Sequence, residues 1–260
     1  MLLCLDIGNT HIFGGVFTND QLLLRFRYAT QPLGTADQFD IFLTNILQFN
    51  QIDRQKITAI ATASVVPHYD YTIKHSLLHY FNIQPFSIQL GIKTRLNIKY
   101  KNPNEVGADK IANAIGAVEQ YPEKNLLIID MGTATTVCAI TKKRDYLGGV
   151  ILPGMGVSME ALTQRAAKLL AVELEIPVNY LGRNTRASIQ SGLFYGQLGA
   201  LKEIMSGLKQ ELFPDETVFV IGTGGFSQLY KIHKLFDTIM PDLVLQGLRT
   251  AFEYAQANTK

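Results

Sequence analysis

At Leu126–Ile129 four consecutive apolar residues lead into Asp130, and after it come Met131, Gly132 and the hydroxyl-rich run Thr133-Ala134-Thr135-Thr136. The apolar run reads as a strand buried on both faces. Asp130 then falls at the end of that strand, on the rim where open α/β sheets hold their ligands. Gly132 allows a sharp turn and a close approach by another group. A carboxylate beside a Gly/Thr turn suits a metal-bound polyphosphate: the acid faces the cation, and the turn's amides and hydroxyls face the phosphate oxygens. The start of the chain repeats the device, with Leu2–Leu5 leading into Asp6-Ile7-Gly8-Asn9-Thr10. One such motif is weak evidence. Two copies almost half of the 260 residues apart are much less easily a coincidence.

The elements that would carry the two motifs also match. Ile12 to Val16 and Thr136 to Ile140 read as second strands. Leu22 to Tyr28 and Tyr146 to Ile151 read as third strands, across turns at Thr18-Asn19-Asp20 and Lys142–Asp145. In the first half, Thr35-Ala36-Asp37-Gln38 is a capping-box pattern opening a helix over 36–50 with an apolar stripe at Phe39, Phe42, Ile46 and Phe49. A strand from Ile57 to Val66, a helix opened by Pro67 and running to Phe81, and a strand from Ile83 to Leu90 follow. The order βββαβαβ recurs in the actin/hexokinase type of nucleotide-binding domain, a duplicated module with a phosphate loop in each copy. The expected fold is therefore α/β, with duplicated actin-like (ribonuclease H-like) βββαβαβ domains over 1–115 and 116–260 and a nucleotide cleft between them.

Residues 91–110 interrupt this rhythm. Lys93, Arg95, Lys99, Lys101 and Lys110 outnumber Glu105 and Asp109, and the segment ends in Gly107-Ala108-Asp109-Lys110 just before an apolar helix stopped near Pro122. Asp109 is open to two readings: an acid that merely favours a helix N-terminus, or a carboxylate that accepts a hydrogen bond from a substrate hydroxyl. In the second half a helix is expected over about 158–170, and Asn184-Thr185 reads as the cap of a helix reaching Leu212. Capping would not exclude a ligand contact at Thr185. The Gly148-Gly149 and Gly154/Gly156 pairs suggest close approach of a ligand or a neighbouring strand. Gly222-Thr223-Gly224-Gly225 could admit a purine or ribose against the backbone, or could be a tight turn. Pro241-Asp242 opens a last helix, and Asn258-Thr259-Lys260 should fray.

Composition narrows the class. Apolar content of 47% and charged content of 18% describe an ordinary globular core. A net charge of +2 gives no case for a nucleic-acid or membrane surface. The N-terminus lacks a basic segment, and Asp6 breaks its apolar run, so no signal peptide is expected there. No apolar run approaches the roughly 20 residues that cross a bilayer. Cys4 and Cys138 read as buried thiols in a reducing compartment, and a cytoplasmic protein is expected. No zinc spacing is present; His75 and His79 share a helix face without the glutamate of a His-Glu-x-x-His motif and read as exposed.

Taken together, the motifs resemble those of type III pantothenate kinases. The matching pieces are Asp6-Ile7-Gly8-Asn9-Thr10, Thr35-Ala36-Asp37, Ser64-Val65-Val66-Pro67, Tyr100-x-x-Pro103-x-x-x-Gly107-Ala108-Asp109 and Asp130-x-Gly132-Thr133-Ala134-Thr135-Thr136. Gly149-x-Ile151-x-Pro153-Gly154 and Asn184-Thr185-x-x-Ser188-x-x-Ser191-Gly192 complete a set that runs through nearly the whole chain. The resemblance implies phosphorylation of pantothenate by ATP with Mg2+, the first step of coenzyme A synthesis. It implies a phosphate loop at Asp6, Ile7, Gly8, Asn9, Thr10, His11, Ile12 and Phe13, with Gly132 and Thr133 as further nucleotide contacts. Asp130 would hold a monovalent cation, K+ or NH4+, and Asp6 would serve magnesium. Tyr100, Gly107, Ala108, Asp109, Lys110 and Thr185 would form the pantothenate site, with Asp109 as the base. A homodimer is implied, with no nucleic acid and no membrane. One position departs from the family: Lys110 stands where Arg is usual, which keeps the charge but not the planar two-pronged donor. Two other expectations compete with this one, another small-molecule kinase of the same superfamily and a nucleotide-binding transcriptional regulator that has lost catalysis. The three aspartates argue against the second.

Overall fold

The structure is a computed structural model, and it describes residues 1–31, 34–89, 94–166 and 169–257. Lys93, Leu90 and the Asn258–Lys260 tail lie outside the described residues, as do 167–168 of the helix expected over 158–170. The chain forms two compact units, one of residues 1–120 with 242–260 and one of residues 121–241.

In the first unit, β1 (Leu2–Ile7), β2 (His11–Thr18) and β3 (Gln21–Ala29) form an antiparallel meander; β4 (Ala59–Ser64) and β5 (Phe86–Ser87) extend it in parallel on the other side of β1. The order is β3-β2-β1-β4-β5. A further two-residue strand, β6, covers Asn97–Ile98. Strand period two divides the core. Leu3, Leu5 and Ile7 of β1 face helices α1 (Ala36–Phe49) and α2 (Pro67–Phe81), whereas Leu2 and Cys4 face α3 (Ala108–Gln120) and the last helix, Leu243–Ala257. Each fully buried Leu or Ile contributes about 1.5–3 kcal/mol, so a slip of one residue in β1 would reverse both layers. The capping box forms as expected: Gln38 N donates to Thr35 Oγ1 at 3.3 Å and Thr35 N donates to Gln38 Oε1 at 2.8 Å. On α1 the buried stripe is Phe39, Leu43 and Leu47, with Phe42 and Ile46 at its margin. Phe49 is 85% exposed, because two residues of helix turn it about 200° away from buried Leu47.

The second unit repeats the plan. It has β7 (Asn125–Met131), β8 (Ala134–Ile140), β9 (Asp145–Pro153), α4 (Met155–Arg165), α5 (Thr185–Leu212), β10 (Val218–Thr223) and β11 (Thr238–Ile239). The strand order β11-β10-β7-β8-β9 is the order of the first unit, element for element, with an antiparallel hairpin on one side of the central strand and parallel strands on the other. Leu127, Ile129 and Met131 pack with Phe194, Leu198 and Leu201 of α5. Helix α4 begins three residues earlier than expected because Gly154 caps it directly at the end of β9.

The closing helix α6 (Leu243–Ala257) belongs to the first unit, not to the second half of the chain, so the sequence-based division at 115/116 does not describe the two units. The reason is a close helix crossing. A Cβ on Gly247 would stand 1.8 Å from the carbonyl oxygen of Ala112, and one on Gly116 would stand 2.8 Å from that of Leu243. Two glycines thus let α6 lie directly on α3, completing the core over Cys4, Ala61 and Ala63. Both cysteines are free and buried; burial holds the Cys4 thiol far above its ordinary pKa, against the pull of Arg249. His75 and His79 are exposed on α2, their rings stacked 5.8 Å apart. No helix among the described residues is long and apolar enough to cross a membrane.

Candidate active site

The first motif lies at the carboxyl end of two parallel strands. Asp6 and Ile7 of β1 pair in register with Ala63 and Ser64 of β4. Gly8, Asn9 and Thr10 then make the turn into β2. This turn is braced: Gly8 N donates to His11 O at 3.1 Å, Thr30 N to Thr10 O at 3.0 Å, and Thr30 Oγ1 to Gly8 O at 2.7 Å. Asn9, Thr10 and His11 are exposed, so the loop presents its backbone to solvent. The side chains of Ile7 and Ile12 are buried in the core and can serve a ligand only through their backbone. Phe13 is half-buried beneath the guanidinium of Arg27, 4.7 Å from its ring centre.

The Gly-Ala-Asp segment comes to the same strand ends. Val65 N donates to Ile7 O at 3.1 Å, and a Cβ on Gly107 would stand 3.4 Å from Cγ1 of Val65. Val65 therefore links the exit of β1 to the start of α3. Asp109 sits in the first turn of α3, where the helix dipole favours an anion. Its Oδ1 is buried and makes no hydrogen bond, and the nearest cation is Lys110 Nζ at 3.8 Å. A buried carboxylate oxygen without a donor is costly, and it marks a place where a hydroxyl of another molecule would be welcome. A Cβ on Gly107 would lie 2.4 Å from the same oxygen and would push the carboxylate aside. Tyr100 is half-buried in the segment leading to α3.

In the second unit the loop after Asp130 is built by three glycines. Gly132 N donates to Ala134 O at 3.1 Å to make the turn. Gly154 N donates to Thr133 O at 3.1 Å, and a Cβ on Gly154 would stand 2.4 Å from the carbonyl oxygens of Gly132 and Thr133. Gly224, at φ 82°, follows Thr223, which pairs with Asp130 across β10 and β7. Its Cβ position is 2.5 Å from Asp130 Oδ1. Ser227 Oγ donates to Gly224 O at 2.8 Å and Phe226 N to Met131 O at 3.1 Å, which fixes this turn against the aspartate. The Gly222–Gly225 cluster thus serves a turn that admits the carboxylate. Gly149 serves a neighbouring strand, since a Cβ there would meet Val137 O at 2.1 Å.

Thr185 stands apart from that loop, at the start of α5. The cap itself is Asn184, whose side chain accepts from Ala187 N at 2.9 Å. That leaves Thr185 exposed and released from capping. It lines an open cavity of about 760 Å³ together with Leu162, Arg183, Ser188 and Leu193. The expected site residues therefore fall into two groups. Asp6 to Phe13, Tyr100 and Gly107 to Lys110 belong to the first unit, and Asp130, Gly132, Thr133 and Thr185 to the second. Thr30, Val65 and Gly224 support these groups but were not singled out one by one from the sequence. Gly224 was visible only as part of a glycine cluster. Among the described residues, no group of three or more His, Cys, Asp or Glu side chains could hold a metal ion by itself.

Comparison with known proteins bears on these motifs. The family model described as type III pantothenate kinase matches residues 2–207. A Legionella pneumophila (strain Corby) protein named type III pantothenate kinase is 49% identical over 251 residues, covering 96% of this chain and 98% of the relative. A Francisella tularensis subsp. holarctica (strain OSU18) protein named type III pantothenate kinase 1 is 43% identical, covering 97% and 99%. Among solved structures, a Campylobacter jejuni protein described as a Baf family transcriptional activator matches with a TM-score of 0.62 at 18% identity, covering 98% of this chain and 99% of that one. Component A of (R)-2-hydroxyglutaryl-CoA dehydratase from Acidaminococcus fermentans matches with a TM-score of 0.53 at 11% identity, covering 100% and 99%. At such identities the two structures speak to the fold alone.

Proposed function

The chain belongs to the type III pantothenate kinase family, and from that premise we propose how its residues share the phosphorylation of pantothenate by ATP, the first step of coenzyme A synthesis. Phosphoryl transfer through a loose transition state needs positioning and charge neutralisation more than covalent chemistry. The braced Gly8–His11 turn holds the phosphate chain through its amides, with Asp6 at its base. Gly132 and Thr133 make a second set of contacts.

The donors beside Asp6 and Asp130 are carboxylate, hydroxyl and carbonyl oxygens, which suit hard cations. Gly224 leaves the room that Asp130 Oδ1 occupies beside its turn. Asp130 would hold K+ or NH4+, and Asp6 would help to hold Mg2+. Bound there, such cations would supply neutralisation of the charge on the transferring group.

Asp109 accepts the hydrogen of the primary alcohol of pantothenate and aligns its oxygen. A carboxylate is a weak base beside an alcohol, so the proton passes late, after most of the bond to ADP has broken. Lys110, Tyr100, Gly107, Ala108 and Thr185 grip the rest of the substrate. The exposed apolar side chains Leu170, Val178 and Leu181, at 78%, 95% and 75%, support a homodimer buried through the second unit. The observation that carries the assignment of Asp109 is its buried oxygen without a hydrogen-bond donor. The test is pantothenate-dependent production of ADP with and without K+, with sugars and acetate as alternative acceptors. Turnover of pantothenate alone, stimulated by K+ or NH4+, is expected. Turnover of a sugar, or no monovalent-cation dependence, would overturn this division of roles.

A further inference from the structure

The geometry points to Thr30 as the residue that aims the phosphate-loop amides, an inference that rests on the assignment of residues 6–13 to the phosphates of ATP. Thr30 is the first residue after β3 and is fully buried. It touches the β1–β2 turn twice, its hydroxyl holding the carbonyl of Gly8 at 2.7 Å and its amide holding the carbonyl of Thr10 at 3.0 Å.

A trans peptide unit is planar, with its C=O and N–H pointing in opposite directions. The carbonyl of Gly8 shares its plane with the amide of Asn9, and the carbonyl of Thr10 shares its plane with the amide of His11. Drawing both carbonyls inward to one buried residue turns both amides outward, away from Thr30. The hydroxyl also has a second effect. In a four-residue hairpin turn, the carbonyl of the first residue commonly accepts from the amide of the fourth. Here that carbonyl accepts from Thr30 Oγ1, which competes with the His11 amide for it. Amides of one turn that face the same side attract an anion between them. Thr30 is thus a positioning residue: it never meets the nucleotide, yet it sets the direction of two donors that do.

The test uses the full chain with three variants, Thr30→Val, Thr30→Ser and Asp6→Asn, and two probes, the magnesium complex of a non-hydrolysable ATP analogue and adenosine. Thr30→Val keeps the shape and the amide but loses the hydroxyl. It should weaken the analogue and raise the KM for ATP by about tenfold, the effect of one lost hydrogen bond on a donor pair. Adenosine affinity and the KM for pantothenate should stay within twofold, as they would not if the fold were merely loosened. Thr30→Ser, which retains the hydroxyl, should restore the affinity. Should Thr30→Val fail to fold, the amide resonances of Asn9 and His11 in the unsubstituted protein serve instead: both should shift on adding the analogue and neither on adding adenosine. An unchanged ATP KM in Thr30→Val, equal losses for ATP and pantothenate, or no rescue by serine would overturn the inference. If Asp6→Asn weakens the analogue while Thr30→Val does not, the inference alone falls. If neither substitution affects the analogue, the assignment of the loop falls with it.

Discussion

Gly224 and Asp130 share a space that holds only one of a carboxylate oxygen and a methyl group. The Cβ position of the glycine is 2.5 Å from Oδ1 of the aspartate, and the glycine's φ of 82° lies in the left-handed region. Gly224→Ala should therefore cost about 1–2 kcal/mol in backbone strain and displace Asp130 as well. The expected outcome is a fall in kcat of at least tenfold with weaker activation by K+. Gly207→Ala is the control. That glycine is exposed in α5 with nothing near its Cβ position, and the change should stabilise the protein by about 0.5–1 kcal/mol. Thermal melts and K+ titrations of the two variants check both expectations.

Asp109→Asn retains the shape of the side chain and the start of α3 but removes the acceptor charge. Turnover should fall by about 10²-fold or more, while calorimetric binding of a non-hydrolysable ATP analogue stays near normal. Near-normal turnover would show that Asp109 is a helix-terminal acid and nothing more.

Lys110 stands with its Nζ 3.8 Å from Asp109 Oδ1 and its side chain 22% exposed. Lys110→Met should raise the KM for pantothenate by about tenfold through the loss of a charged hydrogen-bond donor. Lys110→Arg should bind pantothenate at least as well as the unsubstituted protein, because the forked guanidinium matches a carboxylate. Steady-state kinetics at saturating ATP separates the two.

Asn184 and Thr185 are neighbours with different duties. Asn184→Ala removes the cap of α5 and should lower stability by about 1 kcal/mol. Thr185→Ala removes no cap bond, so it should leave the melting temperature unchanged and raise the KM for pantothenate. Parallel melts and kinetics check the split; equal effects on both quantities would refute it.

Glu216 accepts from Lys142 Nζ at 2.7 Å and from Asn125 Nδ2 at 2.9 Å, and the lysine bond is the main cause of its lowered pKa. A carboxyl group with a lower pKa folded than unfolded stabilises the fold above its unfolded value, and that stability is lost as pH falls through the folded value. Glu216→Gln should therefore be less stable than the unsubstituted protein at neutral pH, and the difference should vanish in acid. Denaturant melts at a series of pH values measure it. The pair is exposed, so the effect will be small.

The legible parts of the sequence were those with local causes. The Thr35/Gln38 box, the Asn184 start and the period-two strands around Asp6 and Asp130 each depend on neighbours a few residues away, and they stand where the sequence put them. The duplicated strand order was legible too, because each half opens with an apolar strand, an aspartate, a glycine turn and two further strands. The less legible parts depend on distant partners. Thr30 looks like any residue leaving a strand until β3 brings it beside the turn it braces. Val65 matters through a hydrogen bond to Ile7, 58 residues earlier at the end of β1. On α1, the large side chains Phe39, Phe42, Ile46 and Phe49 suggested one stripe, whereas the sheet takes Phe39, Leu43 and Leu47 and leaves Phe49 outside it.

The glycine-to-helix crossing of α3 and α6 has a kinetic consequence. One face of the first unit's sheet, including Leu2 and Cys4, is covered by residues 243–257. During synthesis that face leaves the ribosome long before its cover does. The entire second unit, residues 121–241, is translated in between and is free to mature first. Such sequence-distant closure slows folding and lengthens the time for which apolar surface stays open to chaperones.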